Sequence, residues 1–416
     1  MKLIEKISTP AQMKKAWRKL SKNPTSRGLD RLTIAEFGGN FDEHSRRIRK
    51  QLRSGTYKFE PLKGVVIPRA GNKTRLIKIS TVSDRLVQKS IQLTIQSKLQ
   101  KKYELKNPAS YAYLEKRGIS DAVEKIREFY SANQRFVLEA DIKSFFDEVN
   151  RDKLLEEMIF PTLPDDSIND LIKDAISSEL GNKKDLIEAN KWERYFPDEL
   201  SGIPQGSILS PLFSNVYLSS LDKAMLDNEF NLVRYADDFI VLCESKDIAI
   251  DAYKLAVDTL SKLELEMHDL YVSIRRKAKP DKYSEVTHFT KGFNFIGLRF
   301  IGSKIYPSPK AINRMNDVME SFPGEATFLD DLHAINRKVN TWGSTYRFTN
   351  YNKKHIYEPL NRKLTEAFKR TIDKYGLQLK KPSDKFSLMQ KIGIKTFDES
   401  YTYHQSNYLN RKSDEK

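Results

Sequence analysis

The sequence predicts an α+β chain in which helices are separated by short antiparallel strands. Three observations support that class. Several stretches repeat apolar residues at helical spacing, with Lys and Arg between them. Short runs rich in Val, Ile, Leu and Phe flank tight, Gly- or Asp-bearing turns, the pattern of hairpins. Connections are short, and no repeat or low-complexity tract interrupts the 416 residues. A chain of this length starts from an expectation of two to three subdomains, here in one compact body.

Residues 11–20 (AQMKKAWRKL) form an amphipathic helix, and residues 33–54 a longer one carrying Arg46, Arg47, Arg49 and Lys50 and ending at Gly55. Between them Ser26-Arg27-Gly28-Leu29-Asp30 is a turn. The period then changes: 64–68 and 74–79 are strands around the basic turn 69–73. Residues 84–102 are a long helix, with Arg85 and Gln88 near its start. A loop at 111–113 precedes a helix after Gly118, with Ser120 as N-cap. Residues 135–142 are a strand ending in Asp141, and a helix starts near Arg151. Residues 160–200 carry no functional reading. A Gly/Pro loop at 201–207 leads into an apolar helix over 208–228, which contains Asn215 and Tyr217. Residues 247–265 are helical, 271–282 are basic, and 293–300 are a strand or hairpin. From Pro307 onward the chain is mainly helical and increasingly basic, with disorder expected over 411–416.

The stretch Arg234-Tyr235-Ala236-Asp237-Asp238-Phe239-Ile240-Val241-Leu242-Cys243 is the chemical centre. Its apolar run reads as a strand leaving a tight turn that holds two adjacent carboxylates. At a turn the strict alternation of side chains breaks, so one or both can reach a common point. Like charges held together cost energy unless a cation neutralises them. A hard ion such as Mg2+ prefers carboxylate oxygens and leaves positions for substrate phosphates. Asp141 ends another apolar strand earlier in the chain. A strand-end acid with a turn-borne acid pair is what two-metal nucleotidyl transfer needs.

Composition narrows the class. The formal net charge is +16. Residues 1–110 carry 26 Lys and Arg against 8 Asp and Glu, residues 111–350 carry 31 against 40, and residues 351–416 carry 15 against 8. Basic flanks around an acidic centre point to a polyanionic partner. Cys243 is the one cysteine, so no intramolecular disulfide or Cys-based zinc site exists, and the six histidines lack ligand spacing. No apolar run is long enough to span a bilayer, and the first residues lack a signal-peptide stretch. A soluble, cytoplasmic protein without a membrane partner is expected.

Seven ordered blocks over roughly residues 25–350 resemble the reverse transcriptases, specifically the bacterial group II intron-like lineage. Arg27-Gly28-Leu29-Asp30-Arg31-Leu32-Thr33 resembles the "GxDGxT" opening, with Arg31 where Gly is usual. Val66-Ile67-Pro68-Arg69 with Gly71 and Arg75 resembles "IPKxxGxxR", and Asp84-Arg85-Leu86-Val87-Gln88 resembles "DRxxQ". Asp141-Ile142-Lys143-Ser144-Phe145-Phe146-Asp147 is similar to the motif of the first catalytic Asp. Gln205-Gly206 with Ser210-Pro211 and Asn215 matches "QGxxxSPxxxN", and Tyr235-Ala236-Asp237-Asp238 matches the catalytic box. Phe293-Asn294-Phe295-Ile296-Gly297 resembles the primer-grip "FxFLG". Residues 335–346 resemble the thumb "GWxxYF" segment, except that Gly343 follows Trp342.

The resemblance implies a right-hand polymerase fold: basic fingers over 1–110, a palm over 111–300 with an antiparallel sheet and helices on one face, and a helical thumb with a basic extension over 301–416. A fingers insertion is expected near 160–200. Asp141, Asp237 and Asp238 are the implied catalytic residues, and with Ile142 they form the implied site for two Mg2+ ions; Asp237 is the more dependable of the pair. Arg69, Arg75, Phe146, Gln205 and Gly206 are the implied dNTP-binding residues. Guanidinium groups suit phosphate, and Phe146 is the steric gate against a ribose 2′-hydroxyl. Arg85, Gln88, Tyr235, Phe295, Gly297 and Trp342 are the implied nucleic-acid contacts. The Lys that protonates pyrophosphate is Lys277 or Lys279; spacing does not decide.

The implied activity is RNA-directed DNA synthesis from dNTPs on an RNA template, with a DNA or RNA primer or protein priming. No endonuclease region, retron Val-Thr-Gly motif or RNase H carboxylate set is visible, and Ser210-Pro211 stands where diversity-generating enzymes have Ser-Gln. By elimination and analogy the layout is most similar to stand-alone defence-associated enzymes, which use a structured noncoding RNA in antiviral defence. The alternatives are an intron-derived protein acting in splicing and retromobility, and an inert nucleic-acid-binding protein on the same fold.

Overall fold

The computed structural model describes residues 1–22, 27–69, 73–177, 179–190, 202–271, 283–324, 327–376, 389 and 391–414. The chain divides into two compact units, Met1–Val286 and Thr287–Lys416.

The first unit opens with α1 (Leu3–Ile7) and α2 (Pro10–Leu20). Thr9 caps α2 by accepting a hydrogen bond from the Gln12 amide at 3.2 Å, and Pro10 needs no such partner. The long helix expected over 33–54 is two: α3 (Ile34–Gly39) and α4 (Phe41–Arg53). The break is at Asn40, with φ −121° and ψ 32°, directly after two glycines of weak helix propensity. Next comes the hairpin of β1 (Lys63–Arg69) and β2 (Lys73–Ile79), in register from Lys63 with Ile79 to Arg69 with Lys73.

Helix α5 (Val82–Lys102) starts at Thr81, whose hydroxyl accepts from the Asp84 amide at 3.2 Å. It has no wet face in its first half: Leu86, Val87, Ile91 and Ile95 are buried, and so are Asp84, Arg85, Gln88 and Ser90. Helices α1 and α2 pack against it. Helix α6 (Ile119–Ser131) follows. Its N-cap is Gly118, whose amide donates to Asp121 Oδ2 at 2.8 Å, so Ser120 lies inside the first turn rather than capping it.

After β3 (Phe136–Ala140) come the short α7 (Phe145–Glu148), a π-helical segment Lys153–Ile159, α8 (Asn169–Ala175) and α9 (Lys183–Asn190). The end of this region, for which local pattern offers no function, braces the β1–β2 hairpin. Asn182 accepts from the Gly64 amide at 2.8 Å and donates to the Gly64 carbonyl at 3.0 Å. Leu180 and Leu186 join Leu62 in a small apolar cluster against Val66 and Leu76.

The helix expected over 208–228 is also two, α10 (Ser210–Tyr217) and α11 (Ser219–Asp227), hinged at Leu218 with φ −85° and ψ 2°. Then β4 (Asn231–Tyr235) and β5 (Asp238–Cys243) form a hairpin, and α12 (Lys246–Ser261) packs on β3 and β5. With β6 (Glu285–His288) the strands form a sheet of order β4-β5-β3-β6, in which β5 is antiparallel to both β4 and β3. Phe239 through Cys243 are all buried, so both sides of β5 are covered. This antiparallel sheet with packed helices is the mixed class read from the sequence.

The second unit begins within β6. It continues with a three-stranded antiparallel sheet of β7 (Phe293–Phe295), β8 (Leu298–Ile301) and β9 (Lys304–Pro307). Helices α13 (Pro309–Glu320), α14 (Phe328–Tyr346), α15 (Glu358–Lys374) and α16 (Phe397–Asp414) follow. The glycine after Trp342 has a packing reason. A Cβ on Gly343 would stand 2.3 Å from Ser400 Oγ and 2.6 Å from the Ser400 carbonyl carbon, so only Gly lets α14 and α16 meet there.

Candidate active site

The β4–β5 hairpin turns in two residues. Tyr235 pairs with Asp238, leaving Ala236 and Asp237 as the loop. Ala236 has φ +62°, while Asp237 stays outside the positive region. A positive φ at the first loop position alone matches the sign pattern of a type II′ turn, which prefers Gly there. An alanine in that place stores about 1–2 kcal/mol of strain. Asp237 is half-buried and Asp238 is exposed.

Strand β3 lies beside β5, with Ala140 opposite Phe239. One further step brings Asp141 level with Asp238. The three acids therefore leave the same end of the sheet, although Asp141 and Asp237 are distant in sequence. The chain after Asp141 is pinned from its other side. The Asp141 carbonyl accepts from the His268 amide at 3.0 Å, Ile142 bridges Met267, and the Lys143 amide donates to the Glu266 carbonyl at 2.8 Å. His268 Nε2 stands 3.7 Å from Asp141 Oδ2.

The donor chemistry fits a hard divalent ion: carboxylates, with only a backbone carbonyl to offer from the apolar Ile142. Among the described residues no three His, Cys, Asp or Glu side chains converge closely enough to hold a metal by themselves. Mg2+ characteristically uses one or two carboxylates together with substrate phosphates, so such a donor set suits it.

The loop at 202–206 carries two more of the predicted residues, Gln205 and Gly206. A Cβ on Gly202 would sit 2.3 Å from the Phe146 carbonyl oxygen, and the Ile203 amide donates to that oxygen at 2.8 Å. At its far end the Lys78 amide donates to the Gln205 carbonyl at 2.9 Å. A Cβ on Gly206, whose φ is +124°, would stand 2.3 Å from the Lys78 carbonyl oxygen. Two glycines thus let one loop touch both β2 and the segment after β3. These backbone contacts bring Phe146, Gln205, Gly206 and β2 together. Gln205 Oε1 is buried there without a hydrogen-bond partner among the described residues.

Arg75 enters the electrostatics of both Asp147 and Tyr113. Burial pushes the Asp147 carboxyl up, while Lys78 and Arg75 oppose that shift. Burial also raises the Tyr113 phenol, followed by the charge of Asp237; Arg75 again opposes. Tyr113 is 51% exposed, with φ +61°. Sequence reasoning gives Tyr113 and His268 no role at the site, because each reaches the acids through chain folding rather than spacing. Phe146 is half-buried, edge-on to Phe145 at 5.2 Å, and Phe145 is a core residue.

Arg69 pairs through its backbone with Lys73, and its side chain lies outside the described residues, as do Lys277 and Lys279. Tyr235 is half-buried beside Asp238. Where contact with nucleic acid was expected of Arg85, Gln88, Phe295 and Trp342, the structure buries all four. Arg85 Nε donates to the Thr81 carbonyl at 3.3 Å; its burial lowers its pKa, with Asp30 and Asp84 opposing. Gln88 donates to the Ala175 carbonyl at 3.0 Å and accepts from the Ile208 amide at 3.3 Å, which steadies the exit of the Gln205-Gly206 loop. Trp342 packs on Tyr346 and Phe397 in the second unit. Gly297 has φ +80°, and Tyr346 Oη lies 3.8 Å from where its Cβ would be.

Comparison with known proteins gives a family and several relatives. The family model described as reverse transcriptase (RNA-dependent DNA polymerase) matches residues 67–297, more than half of the chain. The group II intron-encoded protein LtrA of Lactococcus lactis subsp. cremoris is 31% identical over 205 residues, covering 49% of this chain and 31% of LtrA. The chain thus spans about a third of the length of that relative. Protein YkfC of Escherichia coli (strain K12) is 23% identical over 339 residues, covering 72% of this chain and 83% of YkfC. Among solved structures, the telomerase of Candida albicans in complex with a TWJ fragment of telomeric RNA matches with a TM-score of 0.48 and 12% identity, covering 94% of this chain and 69% of that one.

Proposed function

The chain belongs to the reverse transcriptase (RNA-dependent DNA polymerase) family, and from that premise we propose that it copies an RNA template into DNA from dNTPs. The observation that carries this reading is the placement of Asp141, Asp237 and Asp238 at one end of the sheet by the pairing of β3 and β4 with β5. Asp141, Asp237 and Asp238, with the carbonyl of Ile142, would hold Mg2+. Bound Mg2+ would supply charge neutralisation at the phosphates and acidify the attacking 3′-hydroxyl.

The remaining work falls to the chain's own groups. Arg75, with Arg69, holds the triphosphate by guanidinium–phosphate hydrogen bonds. Phe146 acts as the steric gate against a 2′-hydroxyl and so selects deoxyribose. Gln205 brings a buried amide oxygen without a protein partner among the described residues, ready for a donor on the sugar or base. Gly206 keeps the backbone close enough for that approach. Tyr235 supports the primer end. In these terms residues 1–110 act as fingers, 111–300 as palm and 301–416 as thumb.

The template reading is a structured noncoding RNA used in antiviral defence, with synthesis started from a nucleic-acid primer or from protein, in the cytoplasm. Among the described residues no helix is long and apolar enough to cross a membrane. A second reading, an intron-derived protein serving splicing and retromobility, is favoured by the likeness to the intron-encoded LtrA. Sequencing the RNA and cDNA that copurify with the protein separates the two. One short structured RNA with its complementary DNA supports the defence reading; intron RNA supports the second; no cDNA counts against both.

A further inference from the structure

Among the described residues, the largest fully buried side chain that the proposed chemistry does not use is Arg234, at 0% exposure. All five of its N–H groups have acceptors. Nε donates to Asp222 Oδ1 at 2.6 Å and Nη2 to Asp222 Oδ2 at 2.6 Å, a bidentate pair. Nη2 also donates to Ser110 Oγ at 3.0 Å. Nη1 donates to Asn215 Oδ1 and to the Ala236 carbonyl, both at 2.9 Å.

Three of these acceptors belong to segments that border the site. The Ala236 carbonyl is in the strained turn that carries Asp237. Asn215 lies on α10, just past Gln205-Gly206, and donates to the Ala112 carbonyl at 3.0 Å, next to Tyr113. Ser110 is in the same loop as Tyr113. That loop also runs along the outer edge of β4: the Arg234 amide donates to the Ala109 carbonyl at 2.8 Å, and the Tyr111 amide to the Arg234 carbonyl at 3.0 Å. Asn107 closes the network by donating to Asp222 Oδ2 at 3.0 Å.

We infer that Arg234 is a positioning residue, a five-donor hub that sets the Asp237 turn and the Tyr113 loop in one geometry. A lone buried cation would be costly, and Asp222 offsets that cost. The remaining three donors are then free to specify shape. A planar fork is needed, because an ammonium cannot reach Asp222, Asn215, Ser110 and the Ala236 carbonyl together. The inference rests on the polymerase reading for its effect on rate, but its structural content does not.

The test is Arg234→Lys, which keeps the charge opposite Asp222 and removes the fork. Incorporation on a primed RNA is measured together with amide hydrogen exchange. Expected is a fall in kcat of about 10- to 100-fold, as misplacement of reacting groups produces, with the KM for dNTP and template–primer affinity within about twofold of wild type. Exchange accelerates at 236–239 and 110–113, while α5 is unchanged. A folded Arg234→Lys protein with wild-type kcat, with a loss carried by KM, or with unchanged exchange at both segments overturns the inference. If Arg234→Lys does not fold, Ser110→Ala removes one acceptor and leaves the Asp222 pair whole. Faster exchange at 110–113 with a several-fold lower kcat then supports the inference, and no change in either refutes it. Wild type run in parallel separates the two readings: if it incorporates no dNTP, the polymerase assignment fails, while the exchange result for Arg234 is judged by itself.

Discussion

Gly206 and Lys78 touch through their backbones: a Cβ on Gly206 would stand 2.3 Å from the Lys78 carbonyl oxygen. The contact joins the Gly/Pro loop to the β1–β2 hairpin, and it allows no side chain. Gly206→Ala adds both that clash and the strain of φ +124°. It is expected to destabilise the fold by about 1–3 kcal/mol and to raise the KM for dNTP. Urea unfolding and steady-state incorporation check this; wild-type values for both would show that the loop can move away.

Asp237→Ala is expected to abolish dNTP incorporation while leaving RNA affinity within about twofold, since a lost carboxylate removes catalysis and adds no repulsion toward phosphate. Primer extension and filter binding measure the two quantities. Unimpaired extension would remove Asp237 from the catalytic set.

Phe146→Ala opens the space at the sugar. Discrimination against ribonucleotides is expected to fall by about tenfold or more, because steric exclusion is the device being removed. Competition between dNTP and rNTP on one template reads it directly. Unchanged selectivity would put the gate elsewhere.

Asp84 links pH to stability. Its carboxyl accepts from Tyr57 Oη at 2.7 Å, Thr81 Oγ1 at 2.7 Å and the Glu60 amide at 3.2 Å. Burial nevertheless raises its pKa from 3.8 to about 6. The folded state therefore binds the proton more tightly than the unfolded state. The stabilisation is complete below about 3.8 and is lost as pH rises through about 6. Between pH 7 and 4.5 the stability of wild type relative to Asp84→Asn should grow by about 2 kcal/mol. Urea titrations across that range test it; a constant difference would show that Asp84 keeps an ordinary pKa.

Much of the site is legible in local sequence. The hairpin at Asp237 and the hairpin of β1 and β2 are short-range events, set by turn residues between apolar runs, and both stand where the pattern puts them. The helix boundaries are less legible. Gly38-Gly39 and Leu218 split two expected helices, because apolar periodicity runs through a break that only backbone angles reveal. Arg85, Gln88 and Trp342 match motifs, yet a motif does not say which way a side chain turns, and all three face protein.

The sequence by itself determined the family and the basic flanks and named the candidate acids, since these are matters of residue type and order. Tertiary structure decided how they work together. Asp141 comes level with Asp238 only through the pairing of β3 with β5. Arg234 finds Asp222, Asn215 and Ser110 at 12, 19 and 124 residues' separation. The physical reason is that a buried guanidinium must satisfy every donor, and nothing in local spacing says where the acceptors will be.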